Sequence, residues 1–148
     1  MTDPSWTTLR GGFLGYLLSQ TRNAAFRDMS DELEPLGLTC AQFRVIAGIA
    51  HQRAHTLSDF ARYLDYDTGA MKRLLDRVEE KGLIRRVPCP ADRRALNLEL
   101  TDTARALYPQ MMAAVSRVNQ RMLQGFSAEE EAQLENMLQR IQANTRHG

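Results

Sequence analysis

The chain has 148 residues, enough for one domain and short for two, and 19 Lys plus Arg against 18 Asp plus Glu leave a formal net charge of +1, so any basic patch must be local. Hydrophobic residues at 43% and charged residues at 25% are ordinary for a globular chain and argue against disorder, fibres and low complexity. Apolar runs are only a few residues long and Met1 to Arg10 lacks the basic-then-apolar order of a secretory signal, which sets the expectation of a cytoplasmic protein with Cys40 and Cys89 as reduced thiols.

Between Leu9 and Leu36 apolar residues at Leu9, Phe13, Tyr16, Leu17, Ala24, Met29 and Leu33 follow a helical period, and Leu14 and Leu18 widen the stripe. The spacing predicts a first helix buried on more than one side. Gly11, Gly12 and Gly15 weaken its start, and Pro35 with Gly37 stops it. Thr39 predicts the N-cap of a second helix with Phe43, Ile46, Ala47 and Ala50 on one face, ending near His51 to His55. Ser58 is the expected cap of a short third helix carrying Phe60, Ala61 and Leu64. After Asp65, Tyr66 and Asp67 a fourth helix runs to Lys81 and ends at Gly82. Two short helices around a tight turn read as helix-turn-helix. In the fourth, Met71, Leu74, Leu75 and Val78 form the apolar stripe, while Lys72, Arg73, Asp76, Arg77 and Glu80 occupy the remaining surface.

Beyond Gly82 the period becomes twofold, with Leu96, Leu98 and Leu100 alternating with Asn97, Glu99 and Thr101, a half-buried strand whose expected partner is Leu83 to Val87. Pro88 to Ala95 is too long and proline-rich for a tight hairpin and should project as a loop with charge at its tip. Helix, helix, then ribbon is a winged helix-turn-helix order. From Thr101 a long helix carries Ala104, Leu107, Tyr108, Met111, Val115, Val118 and Met122, with a kink expected at Pro109. Ser127 and Glu130 match a capping box, and Leu134, Met137, Leu138 and Ile141 give the last helix its own seam. Met111, Met112, Met122 and Met137 read as core or interface filling. The apolar stripes of the two C-terminal helices, with that of the first helix, need a partner surface, and a second copy of the chain is the simplest source, so an obligate homodimer is expected.

Leu38-Thr39 with Gln42-Phe43, then Asp67-Thr68-Gly69-Ala70-Met71 through Leu75-Asp76-Arg77, Glu80-Lys81-Gly82-Leu83-Ile84, Pro90-Ala91-Asp92-Arg93-Arg94 and Leu98-Glu99-Leu100-Thr101 resemble the MarR family of bacterial regulators over residues 38–101. The Asp-x-Arg wing followed by alternating leucines ending in Leu-Thr is the most specific element. The resemblance implies a mainly α fold of about six helices plus a two-stranded β wing, with 38–101 as the DNA-binding core and 7–36 and 101–145 as dimerisation helices of one domain spanning 1–148. It further implies a dimeric transcription factor, usually a repressor, that binds a pseudo-palindromic double-stranded operator and releases it when a small aromatic, phenolic or carboxylate effector binds. A dimer would set two fourth helices in successive major grooves, with half-sites about 10 base pairs apart and wings at the flanking minor grooves.

The resemblance maps recognition onto Thr68, Gly69, Lys72, Arg73 and Arg77, maps wing insertion onto Arg93 and Arg94, and pairs Asp67 with Arg94. Each role has a physical reason. Gly69 lets the helix start approach phosphate, Thr68 offers a hydroxyl there, and Lys72 and Arg73 lie one turn on. Arginine at a wing tip suits a narrow, electronegative minor groove. Asp92 is better placed as a brace than as a contact, because phosphate repels a carboxylate. Residues 68 to 101 carry eight Lys or Arg against five acids, which favours DNA over a winged helix that binds only protein.

An effector pocket is expected between the first helix, the second helix and the start of the fifth, from Phe13, Tyr16, Gln20, Arg44 and His51, with Trp6 as a possible addition. The alternative regulators on the same body are a thiol switch, since Cys40 beside an N-cap could have a lowered pKa and Cys89 sits between prolines on the wing, and a metal switch from His51 and His55 four residues apart. Neither is favoured, and no metal or other cofactor is expected. A glycine-rich phosphate loop, a nucleophile with its base at motif spacing and a recognisable carboxylate pair are all missing from the sequence, so it does not read as an enzyme.

Overall fold

A computed structural model describes residues 13–145 in the order α1 (Leu14–Leu33), a 3-10 turn (Glu34–Leu36), α2 (Cys40–Ala50), α3 (Leu57–Leu64), α4 (Thr68–Glu80), β1 (Ile84–Pro88), β2 (Leu96–Leu100), α5 (Asp102–Met122) and α6 (Ala128–Thr145). Trp6, Leu9, Gly11, Gly12 and the rest of 7–12 lie outside the described residues. Six helices and a two-stranded antiparallel wing match the architecture expected from the sequence.

Local side chains set the helix starts. Thr39 Oγ1 accepts the Gln42 amide at 3.1 Å while Gln42 Oε1 accepts the Thr39 amide at 3.2 Å, a reciprocal capping box. The cap of α3 is Thr56 with Asp59, which corrects the expectation of Ser58. Thr56 has the extended backbone of an N-cap, so its hydroxyl reaches the Asp59 amide at 3.2 Å, whereas Ser58 already lies within the first helical turn. Thr101 caps α5, and Ser127 with Glu130 forms the box expected before α6. The turn between α3 and α4 passes through Asp65 in the left-handed region, φ 57°, a conformation that the short polar Asp side chain tolerates. Helix α5 runs through Pro109 without a break.

The core lies in the winged half. Val45 and Ile46 of α2, Phe60 of α3, Met71, Leu75 and Val78 of α4, Ile84 of β1 and Met111 of α5 are all nearly or fully buried. Helix α5 also packs on α1, where Glu32 accepts hydrogen bonds from Arg117 and Arg121, each at 2.7 Å. The expectation that α1 is buried on more than one side does not hold within one chain: Leu14, Tyr16, Leu17 and Leu18 are exposed, and α6 has no buried residue. Apolar spacing specifies which faces must be covered, and among the described residues Leu14, Leu17 and Leu18 of α1 and the seam of α6 are left open.

Two carboxylates of this frame predict its acid response. Hydrogen bonds from Arg117 and then Arg121 hold Glu32 below its ordinary pKa. For Asp59, burial pushes upward but is outweighed by the Thr56 and His55 amides, the Thr56 hydroxyl and Arg62, and the net direction is down. The unfolded chain therefore binds these protons more readily, so stability is full above about pH 5 and falls as pH drops through the carboxylate range. Urea midpoints measured from pH 7 to pH 3 should be flat at first and then decline, and a midpoint that rises on acidification would contradict these bonds.

Candidate nucleic-acid interface

Helix α4 begins at a cap that is itself ionic: Asp67 Oδ1 accepts the Ala70 amide at 2.7 Å. A Cβ on Gly69 would stand 3.3 Å from that oxygen and 3.6 Å from Arg73 Nη1, so glycine keeps the cap uncrowded. The buried stripe Met71, Leu75, Val78 turns the other side outward, and Thr68, Gly69, Lys72, Arg73 and Arg77 are exposed on it. Lys72 Nζ is bonded to Asp76 Oδ2 at 2.8 Å, whereas Arg73 and Arg77 have no ion pair among the described residues.

The wing is an antiparallel ribbon in which Ile84 faces Leu100, Arg85 faces Glu99 and Arg86 faces Leu98. Its loop is ordered by its own short bonds: Asp92 Oδ1 accepts the Arg94 amide at 2.9 Å, and the Asp92 carbonyl accepts the Ala95 amide at 3.2 Å. Asp92 thus braces the turn, and the Arg93 and Arg94 side chains stand exposed at its tip without ion pairs among the described residues. Four unpaired guanidiniums, Arg73 and Arg77 on α4 with Arg93 and Arg94 on the wing, give a nearly neutral chain a local cationic surface.

The expected Asp67–Arg94 pair is not formed. Asp67 is occupied by the helix cap, and Arg94 lines a cavity of about 320 Å³ with Lys72 and Arg86. The link between α4 and the wing is instead Arg86, whose Nη2 donates to Asp76 Oδ1 at 2.7 Å and whose Nη1 lies 3.6 Å from Glu79 Oε1. Hydrogen bonds from Lys72 and then Arg86 hold Asp76 below the usual carboxylate range. Asp76 and Arg86 were not singled out by sequence reasoning, although a signal existed. Arg86 follows Ile84 by two residues, so strand alternation turns it inward, where a cation needs a carboxylate.

The expected effector residues fall in three groups. The Phe13 and Tyr16 rings are 5.3 Å apart at the start of α1, with Gln20 exposed one turn on. Arg44 of α2 and Arg22 of α1 both stack on Phe26, 5.0 and 4.3 Å from its centroid. His51 Nε2 lies 2.9 Å from the Tyr108 hydroxyl, joining the end of α2 to α5. Within this chain these groups are spread along α1 and α2 rather than gathered in one place. Cys40 is buried, and desolvation pushes its thiol pKa up against the pull of Arg44 and Arg22, the reverse of the lowered value considered from its place beside a cap. Among the described residues no three His, Cys, Asp or Glu gather into a metal-sized group, and no helix is long and apolar enough to cross a membrane.

Comparison with known proteins places this geometry in a family. The model of the MarR family matches residues 38–96. The multiple antibiotic resistance protein MarR of Escherichia coli K12 is 32% identical over 129 residues, covering 86% of this chain and 90% of that protein. Among solved structures, wild-type apo MarR from E. coli superposes with a TM-score of 0.76 at 32% identity, over 86% of this chain and 96% of that one. A mutant E. coli MarR complexed with operator DNA superposes with a TM-score of 0.79 at 30% identity, over 95% of this chain and 99% of that one.

Proposed function

The chain belongs to the MarR family of transcriptional regulators, and from that premise we propose that it binds a pseudo-palindromic operator as a cytoplasmic homodimer and represses the genes beside it. Residues 38–101 read the DNA, and 7–36 with 101–145 join the two copies. The observation that carries this reading is the cationic surface of Arg73, Arg77, Arg93 and Arg94, which no carboxylate of the described chain neutralises. Arg73, Arg77, Thr68, Gly69 and Lys72 meet the major groove and its phosphates, and Arg93 and Arg94 enter the flanking minor groove. Asp67 contributes as the cap that orients the start of α4.

Release comes from a small aromatic, phenolic or carboxylate effector. The aromatic and cationic groups at Phe13, Tyr16 and Gln20, at Arg44, and at His51 supply suitable chemistry, and the second copy brings them within reach of one ligand. Its family makes the chain a regulator rather than an enzyme. The raised thiol pKa of Cys40 speaks against a thiolate switch.

Selection of genomic DNA fragments by the purified protein, with Arg94→Ala in parallel, tests the reading. Wild type should enrich a shared pseudo-palindrome, and Arg94→Ala should bind it about 10- to 100-fold more weakly while remaining folded. Affinity should also fall steeply with salt. Absence of enrichment, or a flat salt response, would refute DNA-dependent regulation by this surface.

A further inference from the structure

We propose that Asp76 is a positioning residue for operator reading, one carboxylate that fixes the wing and a recognition-helix cation relative to each other. The role rests on the reading of α4 and the wing as the DNA-binding face. At its base the ribbon is tied to the body by the Leu98 N–H bond to the His55 carbonyl at 2.8 Å, and its own two strands are closed by Thr101 N–H to the Leu83 carbonyl at 3.1 Å. Buried Ile84, Leu98 and Leu100 add packing there. Farther out the wing stands off from the body across the cavity of about 320 Å³, whose walls include Thr56, Ser58, Lys72, Arg86, Arg94 and Leu96. A two-stranded ribbon beside such a gap has little stiffness of its own, so its angle depends on any side chain that spans the space.

Arg86 spans it. Among the described residues no ion pair nearer the tip joins wing to α4, and the bonds of Cys89, Asp92, Arg94 and Ala95 with one another stay inside the loop. The arginine lands on Asp76 Oδ1, and Oδ2 of the same carboxylate holds Lys72 Nζ at 2.8 Å. Moving the wing away from α4 therefore breaks a bond to the same carboxylate that sets where Lys72 points. The pair is partly open to solvent, with the Arg86 side chain 24% and the Asp76 side chain 34% exposed, so its contribution to folding stability is small and its consequence lies in the spacing between major-groove and minor-groove contacts.

Simple electrostatics and positioning make opposite predictions for Asp76→Asn. Removing a carboxylate beside a phosphate backbone should strengthen binding if charge alone matters, whereas loss of the joint should weaken it. On an operator fragment recovered by selection, Asp76→Asn and Arg86→Gln should each bind about tenfold more weakly than wild type. Both should lose hydroxyl-radical protection in the flanking minor groove yet keep guanine N7 protection in the major groove, with thermal midpoints unchanged. The double variant should be no weaker than the weaker single, because both changes break the same joint. Asp76→Glu should restore the wing footprint. Tighter binding by Asp76→Asn, multiplied losses in the double variant, or equal loss of both footprints with a lowered midpoint would overturn the proposal. A wild-type protein that protects no selected fragment would sink the DNA-binding reading itself, and this role for Asp76 with it.

Discussion

Leu138→Glu should convert the dimer to monomers and abolish operator binding at concentrations where wild type is saturated. Helix α6 has no buried residue, and Leu134, Met137 and Leu138 are 39, 54 and 36% exposed. Most helical stability in proteins comes from packing of an amphipathic face, so α6, with none of its residues buried, needs an external surface to be stable. The exposed Leu14, Tyr16 and Leu17 of α1 and Met122 and Phe126 around the end of α5 have the same need. A twofold interface satisfies all of them with one partner and places each substitution in it twice.

An unpaired carboxylate in such an interface costs several kcal/mol per copy, enough to raise the dissociation constant by about a thousandfold or more. Sedimentation equilibrium should show the halved mass, and circular dichroism should show partial loss of helix as α6 frays. Asn136→Glu, on the polar side of α6 away from Leu134 and Leu138, is the control that should leave the dimer intact. A Leu138→Glu protein that sediments as a dimer would move the interface away from this seam and remove the support α6 gives to the homodimer.

What could be read from the sequence was whatever is decided within a few residues. The caps at Thr39 and Ser127 each use a side chain bonded three residues on, and the second wing strand follows from leucines alternating at 96, 98 and 100. The one misplaced cap, Ser58 for Thr56, arose because two hydroxyl residues two apart offer the same signal and only backbone geometry separates them.

Longer-range choices were less legible. Strand alternation turns Arg86 inward, but with acids at Asp67, Asp76, Glu79 and Glu80, sequence cannot say that Asp76 receives it. Gln42, which closes the α2 capping box, is also a buried acceptor for Lys81 at the C-cap of α4, which reaches the Gly37 carbonyl as well, a contact no local pattern announces. Which surface covers α1 and α6 is invisible for the same reason, since periodicity identifies a face that needs cover and carries no information on its partner.

Gly48 illustrates a residue whose importance sits wholly in tertiary contact, and Gly48→Ala should destabilise the fold by about 2–3 kcal/mol. In a solvent-facing helix the same change would stabilise by up to about 1 kcal/mol through helix propensity. Here a Cβ would stand 2.6 Å from Phe60 Cε1, 3.1 Å from its Cζ and 3.3 Å from Tyr63 Cε1. The Phe60 ring has no room to yield, being fully buried and set edge-on to Tyr63 with centroids 6.3 Å apart. The strain must therefore move α3 away from α2, and α3 is the helix against which α4 is set. Operator affinity should then fall further than the fraction unfolded explains.

Phe60→Leu removes the clashing ring atoms, so adding it to Gly48→Ala should cost less than the sum of the two single changes. A negative coupling in urea midpoints would show that the two residues share one space. Additive costs, or a Gly48→Ala protein more stable than wild type, would mean that α2 and α3 do not meet this closely and that the position of the recognition helix is set elsewhere.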